Sequence, residues 1–250
     1  MSRAPLILIH GAFCGGWIFD AFKAPLEAAG HPCRVAELLA PRENPAGLSM
    51  ADYARRIEAL ARAEAASPIL IGHSLGGLAA QLAAMRVPVR GLILLAPSAP
   101  WGVTGVSVEE AISAVSLMGL GAYWLSSVEP DYATAHTYSL DRLDRAARKA
   151  AFQRMRAESG RALWETLNWW QDPFAVTAVD PTRIPCPVLA LAGGQDRVHP
   201  PATVRRTAER LGGETQVFDA MSHWLPAEPG WEAVAAACLA WIARQEAVAA

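Results

Sequence analysis

Residues 68–85 read PILIGHSLGGLAAQLAAM. The run 68–72 is apolar and strand-length, without period-2 alternation, as suits a strand buried on both faces, and residues 75–86 repeat apolar side chains with helical spacing. Between them stands Gly72-His73-Ser74-Leu75-Gly76, a serine on a sharp strand-to-helix turn. Such a turn holds the serine in a strained backbone conformation, and glycines two positions to either side allow the close approach it requires. The hydroxyl is pushed into the open, and the helix behind it aims its positive end and free N–H groups where negative charge would develop. G-x-S-x-G alone is a common pattern. Flanked by a buried strand and a helix, it marks Ser74 as a nucleophile.

Outward from this turn, further apolar runs lie at 5–10, 32–38, 89–96, 187–193 and 215–218. Helix-like segments at 17–29, 49–65, 75–86, 202–211 and 231–246 alternate with them. Ser49 with Asp52 makes a capping box, and Gly30, Gly212 and Gly213 sit just past helix ends, where the left-handed C′ position favours glycine. Strand and helix in alternation predict an α/β fold with a mostly parallel sheet flanked by helices. The alternation stops in the 86 residues 98–183, which show helical patterns at 108–117, 144–158 and 161–170 and no convincing strand. The expected organisation is a core of 1–97 and 184–250 carrying a helical cap at 98–183. The cap holds Trp101, Trp124, Trp164, Trp169 and Trp170, five of the nine tryptophans. They suit either the packing of a small helical layer or an aromatic wall facing a ligand.

A serine hydroxyl is a poor nucleophile until a positioned base takes its proton, so Ser74 demands a histidine and an acid that fixes that histidine's tautomer. After the run 187–193, the segment Gly193-Gly194-Gln195-Asp196 places Asp196 in a loop beyond a strand end. After 215–218, Asp219-Ala220-Met221-Ser222-His223-Trp224 does the same for His223. In an open parallel sheet such loops converge on one rim. Asp219 competes for the acid, but it ends His223's own strand and suits a turn. Asp172 and Asp180 fit caps or turns. Among the other histidines, His31, His136 and His199 fit solvated or locally bonded roles, and His73 is expected to point away from the rim. The run 6–9 ends in His10-Gly11-Ala12-Phe13-Cys14-Gly15-Gly16-Trp17. Acyl transfer needs N–H donors on the tetrahedral oxyanion. Leu75 N–H supplies one, and Ala12 N–H, turned by Gly11, the second. His10 suits a hydrogen bond that holds the turn. Phe13, Cys14, Trp101, Trp124, Trp169 and Trp224 are the expected substrate-binding residues.

HGAFCGGW, GHSLGG, GGQD and SHW, in this order and with a helical insertion, resemble the α/β-hydrolase superfamily. The first motif is similar to the HGACHGGW-like segments of the small methylesterase and hydroxynitrile-lyase branch and to bacterial esterases. The resemblance implies nucleophile Ser74, acid Asp196, base His223 and oxyanion donors Ala12 and Leu75. It covers the chain outside the cap. The chain departs from it at Glu37-Leu38-Leu39-Ala40-Pro41, where relatives carry an Asp-rich stretch. Cyanohydrin lyases of that branch tend to have Thr at the place of Gly11 and Lys at the place of Trp224.

Composition narrows the chemistry. Of 250 residues, 52% are hydrophobic and 18% charged, with 22 basic and 24 acidic side chains. A packed globule is expected rather than disorder, and the absence of a basic block argues against a nucleic-acid partner. Cys14, Cys33, Cys186 and Cys238 form no CxxC pair, which suits free thiols in a reducing, cytoplasmic setting and no zinc. No membrane partner is expected, since the longest late uncharged stretch is about half of the roughly 20 residues a bilayer requires. The expectation is a cofactor-free, metal-free serine hydrolase cleaving a carboxylic ester of a small, largely apolar molecule. The same triad could cut a lactone, thioester or carbon–carbon bond or act as a lyase. A hydrolase-fold binding protein is the third reading.

Overall fold

The structure is a computed structural model that describes residues 3–40, 42–105 and 121–248. Six parallel strands make one sheet: β1 (Leu6–Ile9), β2 (Cys33–Ala36), β3 (Ile69–His73), β4 (Gly91–Leu95), β7 (Val188–Gly193) and β8 (Glu214–Phe218), in the order β2-β1-β3-β4-β7-β8. Their side chains alternate between two cores. Ile7, Ile9, Leu70, Leu92 and Ala190 face α2 (Met50–Arg62), α3 (Leu75–Ala84) and α6 (Pro201–Arg210). Leu6, Leu8, Ile69, Ile93 and Leu189 face α1 (Lys23–Ala28) and α7 (Trp231–Val248). Burial on both faces is what the unbroken apolar runs predict.

The chain passes from β1 outward to β2 and from β3 outward to β4 on the opposite side, so β1 and β3 flank a topological switch point where a crevice opens beyond the strand ends. Ile9 pairs with Gly72 and His73 with Leu95, so the loops after β1, β3 and β4 leave the sheet at one level. Gly193 pairs with Phe218 and brings the loops after β7 and β8 to the same rim.

Local signals act largely as expected. Ser49 caps α2 reciprocally with Asp52, and Gly30 and Gly212 adopt positive φ just past helix ends. The helix expected over 17–29 breaks into a 3₁₀ turn, Gly16–Phe19, and the short α1. Pro25 lacks an N–H, and its ring would collide with the carbonyl of residue 21 in a continuous helix.

Between β4 and β7 the chain leaves the sheet. Here the expectation of no strand is corrected: β5 (Ser127–Val128) and β6 (Glu158–Ser159) form an antiparallel pair, each too short for periodicity to register. Among the described residues of the insertion, the longer helices are α4 (Arg145–Arg154) and α5 (Gly160–Leu167). The helix expected over 144–158 ends at Arg154, and residues beyond it run extended onto the core. The helix expected over 108–117 lies outside the described residues. The insertion is tied to the core through buried groups: Met50 N–H donates to Glu165 (2.7 Å) and the Ser159 hydroxyl to the Leu48 carbonyl (2.5 Å). Among the described residues no helix is long and apolar enough to cross a membrane.

Candidate active site

Ser74 follows the last residue of β3 and precedes α3, with φ 53° and ψ −125°. A non-glycine residue in this region costs about 1–3 kcal/mol and persists only where its surroundings over-determine it. They do so here. Ser74 N–H donates to the Leu95 carbonyl (3.0 Å), and its own carbonyl accepts from Gly77 N–H (2.8 Å) and Ser98 N–H (3.0 Å). Gly76 is required by close approach, since a Cβ there would lie 2.2 Å from the His10 carbonyl oxygen.

Asp196 and His223 arrive from β7 and β8. Their two loops are joined at Gly193, where a Cβ would sit 1.9 Å from the Ser222 carbonyl oxygen, and by Gln195 N–H donating to Met221 (2.8 Å). His223 Nδ1 lies 2.9 Å from Asp196 Oδ2, and its Nε2 lies 3.0 Å from Ser74 Oγ. The structure therefore brings together the three residues that the motifs single out, all of them buried. Asp196 Oδ1 accepts the N–H groups of Val198 (2.7 Å) and His199 (2.9 Å), which fixes the carboxylate and with it the Nδ1–H tautomer of His223. Nε2 is left to accept the Ser74 proton. Burial acts to lower the His223 pKa, but the charge of Asp196 and its hydrogen bond outweigh it and hold the pKa above the ordinary 6.5. Asp219 is exposed in a turn, and Asp180 and Asp172 hold local backbone N–H groups.

Leu75 opens α3, so its N–H is among the first-turn groups that no intrahelical carbonyl reaches. On the facing side, a Cβ on Gly11 would come 2.9 Å from Ser74 Cβ, so the backbone after β1 lies directly against the serine. His10 Nδ1–H donates to the Gly11 carbonyl (2.9 Å) while its Nε2 accepts from Leu38 N–H (3.1 Å), the turn-holding role expected of it.

The expected substrate-binding residues separate. Phe13, like the expected oxyanion donor Ala12 beside it, packs against the core that includes Leu75, Tyr123 and Leu163, whereas Cys14 and Trp224 belong to the core on the other sheet face. Trp224 is 2% exposed and meets Trp17 edge-on at 5.7 Å. Trp101 pairs with Trp169 (5.5 Å) and Trp124 with Trp164 (6.0 Å), two separate aromatic groups on the insertion. Burial, then the charge of Glu158, pushes the Cys14 thiol up to about 12, which leaves it no nucleophilic role at neutral pH.

Several neighbours carry no sequence signal. The expectation that His73 points away is corrected: it donates Nε2–H to the His223 carbonyl (2.9 Å), and the two rings lie 5.0 Å apart. Burial, and then His223, hold its pKa well below 6.5, so it packs beside His223 as a neutral ring. His199 is buried against Ser98 (3.0 Å) and meets His223 edge-on at 5.2 Å. Glu228 accepts Ser222 N–H (2.6 Å) and closes the base loop, and burial raises its pKa to about 7. Among the described residues no group of His, Cys, Asp and Glu is arranged to hold a metal ion.

A profile of the Alpha/beta hydrolase family matches residues 6–237. Esterase PIR7B of Oryza sativa subsp. japonica is 33% identical over 108 residues, 40% of this chain and 40% of that protein. A pyrethroid hydrolase of Sphingobium wenxiniae is 41% identical over 102 residues, 38% of this chain and 36% of its own. The chain thus aligns with about two fifths of the length of these relatives. A monoacylglycerol lipase from Paleococcus ferrophilus superposes with a TM-score of 0.72 at 20% identity, covering 97% of this chain and 96% of its own. A methylesterase from Arabidopsis does so with a TM-score of 0.71 at 16% identity, covering 96% and 99%. With the fold matched from end to end and the family profile spanning most of its length, the chain belongs to the alpha/beta hydrolase family.

Proposed function

We propose that this protein is a serine hydrolase of small, largely apolar carboxylic esters. The observation that carries the reading is the continuous path from Ser74 Oγ to His223 Nε2 (3.0 Å) and from His223 Nδ1 to Asp196 Oδ2 (2.9 Å), starting at a strained serine. Ser74 Oγ attacks the ester carbonyl as His223 takes its proton. Asp196 stabilises the imidazolium, and the N–H groups of Leu75 and Ala12 receive the oxyanion. His223 then protonates the leaving alcohol, and water activated by the same ring hydrolyses the acyl-enzyme. No step calls for a metal or an organic cofactor. Esterase names among the sequence relatives support the bond type.

Residues 98–183 act as a cap over the rim, excluding water and selecting shape. A cyanohydrin-lyase reaction is disfavoured by Gly11, where a β-branched side chain would begin 2.9 Å from Ser74 Cβ. The test is hydrolysis of p-nitrophenyl acetate by the protein and by Ser74→Ala. The alanine variant should retain the fold and lose activity by about 10⁶ in kcat, and more than a few per cent of residual activity would sink the reading.

A further inference from the structure

The residue after the proposed oxyanion donor Ala12 is held by the inserted segment. Phe13 has φ +62°, a left-handed conformation that a bulky side chain rarely adopts unaided. Both of its backbone polar groups are taken by the extended stretch that leads from α4 into β6. Its carbonyl accepts Arg156 N–H (3.0 Å), and its N–H donates to Glu158 Oε2 (3.2 Å). Glu158 is 1% exposed. A buried carboxylate is tolerated only when donors surround it, and here the other oxygen, Oε1, accepts Ser159 N–H (2.7 Å) and the Tyr53 hydroxyl. Arg156 anchors the same stretch to the core through the Leu39 carbonyl (2.5 Å).

Two successive peptide planes are thereby clamped. The Gly11–Ala12 plane contains the Ala12 N–H, and His10 grips it through the Gly11 carbonyl (2.9 Å). The Ala12–Phe13 plane contains the Phe13 N–H, and Glu158 grips that. With a planar peptide on each side, the only soft torsions left between the clamps are those of Ala12 itself. We infer that Glu158 is a positioning residue of the esterase reaction: the insertion reaches down through it to hold the Ala12 N–H on the oxyanion. The inference rests on the serine-esterase reading and adds to it that the inserted segment is part of the catalytic geometry as well as a cover.

Glu158→Gln disturbs the grip without shortening the side chain. The amide has one acceptor where the carboxylate has two, so either orientation sets its NH₂ against a backbone N–H, that of Phe13 or that of Ser159. Glu158→Asp is the second variant: it keeps the buried charge and withdraws it by one methylene. Tyr53→Phe is the control, since it removes a donor from Oε1 without touching Phe13. The readouts are kcat and KM for p-nitrophenyl acetate and the affinity for a trifluoromethyl ketone, whose hemiketal with Ser74 places a full oxyanion in the site.

Both Glu158 variants should lose about tenfold or more in kcat and in ketone affinity with KM little changed, since small misplacements of a reacting geometry cost on the order of 10²-fold. Tyr53→Phe should stay within about twofold on both. Wild-type ketone affinity in the Glu158 variants, or an equal loss in Tyr53→Phe, overturns the inference. So does failure of both Glu158 variants to fold, which would make the contact purely structural. If the unaltered protein neither cleaves the ester nor binds the ketone, the esterase reading itself falls and the role of Glu158 with it.

Discussion

Replacing Asp196 by Asn tests the reach of the hydrogen-bond network. Asp196 Oδ1 accepts two backbone N–H groups, from Val198 at 2.7 Å and His199 at 2.9 Å, while Oδ2 accepts His223 Nδ1–H at 2.9 Å. An amide in this position has two orientations. With its NH₂ toward the loop it would strip an acceptor from two N–H groups in a buried site, at about 1–3 kcal/mol each. The carbonyl therefore stays on the loop and the NH₂ turns to His223. Nδ1 must then offer its lone pair, Nε2 carries the proton, and Nε2 donates to Ser74 Oγ instead of accepting from it. The fold survives and the base is lost. The corresponding change in a serine protease lowers kcat by about 10⁴, a barrier increase of about 5.4 kcal/mol. Asp219→Asn is the control: the residue is exposed, and its carbonyl, which accepts Gln195 Nε2 (3.3 Å), is unaffected. It should remain within about twofold of the parent, as exposed substitutions do. The assay is kcat for p-nitrophenyl acetate at pH 7. An Asp196→Asn protein within tenfold of the parent, or a crippled Asp219→Asn, would refute the assignment of the acid.

The pH dependence should follow His223, which works as a base only when neutral. Burial lowers its pKa, but Asp196 outweighs burial and raises it above 6.5, so kcat/KM should fall on the acid side with a midpoint above that value, and an acid limb centred below it would contradict the geometry. The sign for stability is opposite: a raised folded pKa contributes stability below pH 6.5 that is lost as pH rises through the folded value. Gly193→Ala should drive the acid and base loops apart, because its Cβ would fall 1.9 Å from the Ser222 carbonyl oxygen, a backbone atom, so that only a backbone shift relieves the clash. Overpacking of that kind costs about 3 kcal/mol, or a Tm lower by about 6–12 °C in a chain of this size, and an unchanged melting curve by scanning fluorimetry would refute it.

The sheet was legible because parallel strands buried on both faces leave unbroken apolar runs, as at Leu6–Ile9 and Val188–Gly193. Ser74, Asp196 and His223 were legible for a related reason: Ser74 directly follows β3, Asp196 and His223 lie in the loops that follow β7 and β8, and register brings those strand ends to one rim. The insertion was harder. β5 and β6 are two residues each, too short to alternate, and residues beyond Arg154 leave their helical pattern because Arg156 and Glu158 find partners on the core. Glu158, His199 and Glu228 carry no spacing signal, since what distinguishes them is burial against residues distant in sequence. The same limit applies to the tryptophans, where composition counts them but only packing separates Trp224 in the core from Trp101 and Trp124 on the insertion.

The most direct measurement is intact-protein mass spectrometry of enzyme mixed with p-nitrophenyl acetate and quenched in acid before the acyl group can hydrolyse. A single acetyl group should be found, mapped by peptide digestion to Ser74, with none on Ser74→Ala and an accumulating acyl-enzyme in Asp196→Asn slower by the factor seen in kcat. An ester turned over with no acyl group on Ser74, or with the group on another residue, would contradict the nucleophilic role of this serine.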